Sequence, residues 1–308
     1  MFLPKDFIET DDGLVFAVVA HGFEQGRVLC FLRYVRTKAG WQKQSTHDAN
    51  ALLRRKYSRY LYYSTTKDVQ LHAVPVEYIS VHHRPRRRLL NLAQTPGHDR
   101  VERDLMRLYE LYRTHGLEVQ SMGVTGSLLI GAHNQQSDID LIVYDREQFH
   151  QARTITRDLI ARGLLQPLSS SDWEISYDRR SCDLTITDYV WHERRKFNKA
   201  MINGRKFDLS YVNHTPVDAD VRYRKSGKIV LRCTITDADQ SYDYPALFKI
   251  DHAEIRAIAC FTATYTGQAL TGETVEVSGS LEQTDTGHKR IVVGSSREAE
   301  GEYIKVVR

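Results

Sequence analysis

The sequence predicts an α+β protein in three parts: an N-terminal α+β module, a central α/β domain and a small C-terminal β-barrel of OB type. Three observations carry this. Apolar, β-branched runs open the chain, LVFAVVA (14–20) and RVLCFLRYV (27–35). Two amphipathic helical patterns, VERDLMRLYELYRTHG (101–116) and EQFHQARTITRDLIARG (147–163), bracket strand-like pieces near 119–125 and 138–144. From residue 228 onward, five short strand-like runs alternate with turn residues, the texture of a small barrel. The boundaries these textures suggest are 1–95, 96–222 and 223–308.

In the first part, HGFEQG joins the two apolar runs. A helix is expected at 47–56, capped by Ser45 or Thr46, with Ala49, Leu52 and Leu53 on one face. QTPGHD (94–99) breaks the chain through Pro96 and Gly97. In the centre, Val101, Leu105, Leu108, Tyr109 and Tyr112 share a helical stripe that stops at Gly116. Ser171 and Glu174 offer a capping box for a helix from 172. A further helix over 185–200 would align Ile186, Tyr189, Val190, Phe197, Ala200 and Met201. NGRKFDLSYV (203–212) reads as a turn and a strand, and NHTPVDADVRYRKSG (213–227) as a linker. The last part supplies GKIVLRCTITDA, AEIRAIACFTATY, GETVEVSGSLEQ, HKRIVVGSS and EYIKVVR.

The net charge of +4 is unevenly spread: residues 1–100 hold sixteen Lys and Arg against nine Asp and Glu. A polyanion partner is therefore expected to meet the N-terminal part. The candidates are Arg54, Arg55 and Lys56 in RRKYSRYLYYS and Arg84, Arg86, Arg87 and Arg88 in HHRPRRRL. Interleaved aromatics in the first cluster suit base stacking, although Tyr60, Tyr62 and Tyr63 are also what a core strand would carry. No apolar run approaches the roughly 20 residues of a membrane span, and the first residues lack a signal-peptide pattern, so a cytoplasmic location without a membrane partner is expected. The four cysteines form no C-x-x-C pair and read as small core residues.

GVTGSLLIGAHNQQSDIDLIVYD (123–145) holds the chemistry. Residues two apart on a strand point the same way, so Asp138 and Asp140 project together while Ile139 and Leu141 face the core. Paired carboxylates repel unless a cation joins them, and hard oxygen ligands favour Mg²⁺ or Mn²⁺. Gly126 lets backbone approach a ligand closely. If a helix starts at Ser127, its hydroxyl and free N–H groups suit a phosphate. Phosphate binding beside metal ligands is what nucleotidyl transfer needs.

TGSLLIG…SDIDLIV resembles the signature of the DNA polymerase beta superfamily of nucleotidyltransferases, and the whole chain is similar to a group of predicted nucleotidyltransferases, mostly archaeal. The resemblance implies a polymerase-beta-like central domain and a third carboxylate on a later strand. Asp208 in KFDLSYV is preferred, and Asp183 in SCDLTI is the rival. It further implies that Asp138, Asp140 and Asp208 hold Mg²⁺ (or Mn²⁺) and that Gly126 and Ser127 seat the triphosphate of an NTP. Arg194, Arg195 and Lys199, read on one helix before Asp208, would reach its oxygens. The expected reaction moves an NMP to an acceptor hydroxyl, with RNA favoured by the basic flank. A protein or small-molecule acceptor, or a non-catalytic nucleic-acid binder, are the alternatives.

Overall fold

The computed structural model describes residues 1–65, 68–95, 99–180, 182–214, 221–295 and 299–308. They fall into two compact units. The first contains Met1–Thr65, Val69–Gln166 and Asn198–Pro216; the second contains Pro167–Phe197 and Val217–Arg308. The expected boundaries shift accordingly. The N-terminal module and the sheet bearing the aspartates belong to one unit, and residues 167–197 group with the C-terminal strands. The reason is apolar: Leu184 is buried in one core with Ile235, Phe248 and Val306.

The first unit opens with a seven-stranded antiparallel sheet. Its strands are β1 (Phe7–Thr10), β2 (Leu14–Val18), β3 (Arg27–Thr37), β4 (Gly40–Lys43), β5 (Leu61–Ser64), β6 (Val69–Pro75) and β7 (Ile79–His83). They run β5-β6-β3-β2-β1-β7, with β4 on β3. Period-two alternation sends Phe16, Cys30 and Leu32 to the face covered by Ala49 and Leu53 of α1 (Thr46–Lys56). Ser45 caps that helix by accepting from Asp48 N. The other face presents Phe7, Val15 and Tyr34, which pack with Leu129.

After α2 (Pro85–Gln94) come α3 (Arg100–Thr114), β8 (Met122–Thr125), β9 (Ile139–Val143), α4 (Arg146–Ala161), β10 (Lys199–Ile202) and β11 (Arg205–Tyr211). Asp99 caps α3 through Glu102 N; residues 96–98 of the expected break lie outside the described ones. The four strands form a sheet ordered β10-β11-β9-β8, in which β9 and β11 run parallel. Ile139, Leu141, Phe207 and Leu209 on its apolar face are at most 1% exposed. Burial of each contributes roughly 1.5–3 kcal/mol, which offsets the cost of crowding carboxylates on the opposite face. The Tyr112 ring of α3 meets Phe207 edge-on at 6.5 Å.

The second unit comprises α5 (Ser170–Asp178), α6 (Ile186–Arg194), β12 (Tyr223–Asp237), β13 (Ala246–Ile250), β14 (Ile255–Cys260), β15 (Thr274–Thr284), β16 (Lys289–Val293) and β17 (Tyr303–Val306). The pairings β12-β13-β14-β16-β15 return to β12, so five strands form a closed circuit, with β14 and β16 parallel and β17 added on β15. Six strands thus stand where five are expected. The extra one, ALFKI, is short and follows the turn-rich DADQSYDYP. The expected linker is in part the start of β12, and its residues 215–220 lie outside the described ones.

Two local expectations are corrected. The capping box joins Ser169 to Asp172, not Ser171 to Glu174. The helix expected over 185–200 stops at Arg194. Phe197 then takes a left-handed φ of +50°, and Lys199 begins a strand. Among the described residues no helix is long and apolar enough to cross a membrane.

Candidate active site

Strand register assembles the acids. In the parallel β9–β11 pair Asp208 lies beside Asp140, and in the antiparallel β8–β9 pair Thr125 lies opposite Asp140. Asp138 precedes Asp140 by two residues and shares its side of the sheet. One face therefore gathers Asp138, Asp140 and Asp208. Asp183, the rival, belongs to the second unit, where its carboxylate accepts the Gly301 N–H at 2.9 Å.

Gly126 is shaped around Asp140. Its φ is +68°, and a Cβ there would collide with Asp140 Oδ2. Only glycine meets both demands. The turn that follows, Gly126–Ile130, is a five-residue 3₁₀ helix rather than the α-helix considered for Ser127. The expected array of free helical N–H groups is therefore replaced by a tight turn, and Ser127 sits on it half-buried.

Lysines balance the acids. Lys206 Nζ lies 3.8 Å from Asp138 Oδ2 and 3.6 Å from Asp208 Oδ2. Lys199 stands opposite Asp208 in the β10–β11 register, reaching the acid face from a strand rather than a helix. Burial and then the charge of Asp208 push the Asp140 carboxyl upward, opposed by the field of Lys5. Asp208 Oδ1 is a buried carboxylate oxygen without a hydrogen-bond partner, next to a carboxyl whose charge burial disfavours, and a divalent cation drawing the three carboxylates together would relieve both. Asp138, Asp140 and Asp208 are the residues that would hold it.

Arg205 braces the loop leading to Asp138. Its guanidinium donates to Asp104 Oδ2 at 2.9 Å and to the carbonyls of Gln135 and Ser137 at 2.9 and 2.7 Å. From the N-terminal module, Lys5 O accepts the Thr125 hydroxyl at 2.7 Å, and Leu3 packs on Ile142, Tyr144 and Val212. Sequence reasoning missed Lys5, Arg205 and Lys206. The basic pair preceding FDL was a signal for the last two; nothing local marks Lys5.

The remaining candidates lie elsewhere. Arg194 and Arg195 belong to the second unit. There Arg195 donates to Glu273 Oε1 at 2.6 Å and stacks on Trp191, and it shares no helix face with Lys199. Arg54, Arg55 and Lys56 are exposed in the last turn of α1. Arg84 and Arg87 are exposed too, and Arg86 lies over the Tyr144 ring at 4.7 Å. Arg88 is spent internally, donating to Leu128 O and Glu102 Oε1, so it is corrected to a structural cation. Of the three tyrosines beside the first cluster, Tyr60 is core and Tyr63 is half exposed. Among the described residues, the trio whose ligand atoms already lie within 4.8 Å of one another is a different one, Asp99, Glu102 and His133. Asp99 there caps α3 and accepts from His133 Nε2, and Glu102 pairs with Arg88, while His133 Nδ1 is buried without a hydrogen-bond partner.

The chain is similar to an uncharacterized protein of the archaeon Methanocaldococcus jannaschii, MJ1086. The two are 32% identical across 99% of this chain and 98% of that protein. No family model and no solved structure matches.

Proposed function

The chain belongs to the same protein family as the uncharacterized archaeal protein MJ1086, and from its carboxylate face we propose that it is a divalent-metal-dependent nucleotidyltransferase. It moves an NMP from an NTP to an acceptor hydroxyl, with RNA as the favoured acceptor. The observation that carries this is the three-carboxylate face: Asp138, Asp140 and Asp208 on neighbouring strands, Gly126 shaped to Asp140, and Asp208 Oδ1 buried without a partner.

When bound, Mg²⁺ or Mn²⁺ would neutralise phosphate charge and lower the pKa of the acceptor hydroxyl. The chain does the positioning. The tight turn at Gly126 and Ser127 lets backbone lie directly against the Asp140 carboxylate, where the triphosphate would be seated. The Asp208 carboxylate, beside Asp140, would accept the acceptor's proton. The acceptor oxygen then bonds to the α-phosphorus as the bond to pyrophosphate breaks. Exposed Arg54, Arg55, Lys56, Arg84 and Arg87 favour an RNA acceptor, as does a closed five-strand circuit read as an OB-like barrel.

The test uses α-³²P-labelled NTPs, Mg²⁺ or Mn²⁺ and total RNA. Label is expected in RNA. It should fall about 10³-fold or more in Asp138→Ala and in Asp208→Asn, and persist in Asp183→Asn. Label on protein would move the acceptor to that class. No label with either metal would sink the enzymatic reading.

A further inference from the structure

Lys5 occupies a backbone position that normally takes glycine. Leu3, Pro4, Lys5 and Asp6 form a β-turn closed by the Asp6 N–H on Leu3 O at 3.1 Å. Pro4 fills the second position, and Lys5 the third with a φ of +74°. That pattern is a type II turn, whose third position calls for glycine or asparagine. A lysine there is sterically disfavoured and has to be held by its surroundings.

Those surroundings are the site itself. Leu3 is packed on the β9 side of the acid face, against Ile142 and Tyr144. Lys5 N–H donates to Val18 O at 3.0 Å, and Lys5 O accepts from Thr125 Oγ1. Thr125 is buried, lies opposite Asp140 and directly precedes Gly126. The exposed Lys5 side chain is thus tethered on the β8 side of Asp140, near enough for its charge to act on that carboxyl. Lys206 serves Asp138 and Asp208 from the β11 side. Thr125, whose hydroxyl Lys5 O holds, leads directly into the turn at Gly126 and Ser127.

We propose that Lys5 is a nucleotide-positioning residue, its ammonium receiving a phosphate oxygen of the triphosphate, so that the N-terminal module completes the nucleotide seat of the central sheet. This rests on the nucleotidyltransferase reading. Lysine is suited to the task as a mobile point charge with three donors.

The experiment measures binding, not turnover. The full chain with Mn²⁺ is titrated calorimetrically with α,β-methylene analogues of the four ribonucleoside triphosphates. Lys5→Met, Lys5→Gly and Lys5→Arg are compared with the unaltered chain. Lys5→Met and Lys5→Gly should lose about tenfold or more in analogue affinity, and Lys5→Arg should recover most of it. Lys5→Gly decides the matter, because glycine suits the turn and its thermal midpoint should equal or exceed that of the unaltered chain. Its affinity for Mn²⁺ alone should not fall. If Lys5→Gly binds the analogue as the unaltered chain does, Lys5 has no nucleotide role while the enzymatic reading survives. If the unaltered chain binds no analogue, both readings fall.

Discussion

Gly126 and Gly131 bracket one short 3₁₀ turn and form a matched pair for substitution. Both take left-handed φ, +68° and +65°. Alanine at either position costs about 1–2 kcal/mol of backbone strain. In a unit of this size that lowers the thermal midpoint by roughly 2–8 °C. The two differ in what the new methyl meets. Around Gly131 nothing lies within 4 Å. At Gly126 the methyl collides with Asp140 Oδ2 and lies 3.2 Å from its Cγ and 3.5 Å from its Cβ. The carboxylate has to swing aside by about 1 Å, a misplacement that costs on the order of 10²-fold in rate. Calorimetric titration with Mn²⁺, thermal melting and label transfer together read the outcome. Both variants should melt earlier. Only Gly126→Ala should lose Mn²⁺ affinity and transfer. Equal Mn²⁺ binding in the two variants would refute the claim that Gly126 exists to make room for Asp140.

Two further outcomes follow from buried groups. Arg205→Met leaves the buried Asp104 without its cation and with Asn203 Nδ2 as its donor at 2.8 Å, and should cost about 3 kcal/mol in urea unfolding; Mn²⁺ affinity should fall with it, as the loop before Asp138 loses its brace. His192 is 1% exposed, its Nδ1 meeting Asp188 O at 2.6 Å and its Nε2 meeting the Val306 N–H at 3.1 Å. Burial lowers its pKa from 6.5 to about 4, so the unfolded chain takes up the proton first. Stability is full above pH 6.5 and is lost on acidification towards 4, by about 2 kcal/mol between pH 6.5 and 5. Trp191, whose ring lies 4.8 Å from His192, reports the unfolding by fluorescence. His192→Gln should flatten this pH dependence, and an unchanged slope would remove His192 as its source.

The sequence makes some of this site legible and conceals the rest for identifiable reasons. That Asp138 and Asp140 share a face follows from the two-residue period of a strand. That Asp208 joins them depends on the parallel β9–β11 register, which no local pattern encodes; the sequence narrows the choice only to Asp208 and Asp183. The helical spacing of Ile186, Tyr189 and Val190 is real, but it runs on by coincidence through Phe197, where a positive φ ends it and turns Lys199 into a strand residue. In SSSD the serines are interchangeable to the eye, and the capping box falls two residues earlier than expected. Lys5 was invisible because it reaches Thr125 across 120 positions of chain. The mixed α/β content was readable from texture, while β13 was hidden among turn residues.

The parallel pairing of β9 with β11 also sets an order of events during synthesis. About sixty residues separate the end of β9 from the start of β11. At roughly 5–20 residues per second, several seconds pass in which β9 has its hairpin partner β8 on one side and a bare edge on the other. That edge reads IDLIV, an apolar strand of the kind that recruits other chains. Asp140 stands in its middle and Asp138 at its entrance. Until β11 arrives, their charges discourage foreign strands from docking. The same carboxylates thus guard the nascent strand before they have anything to bind.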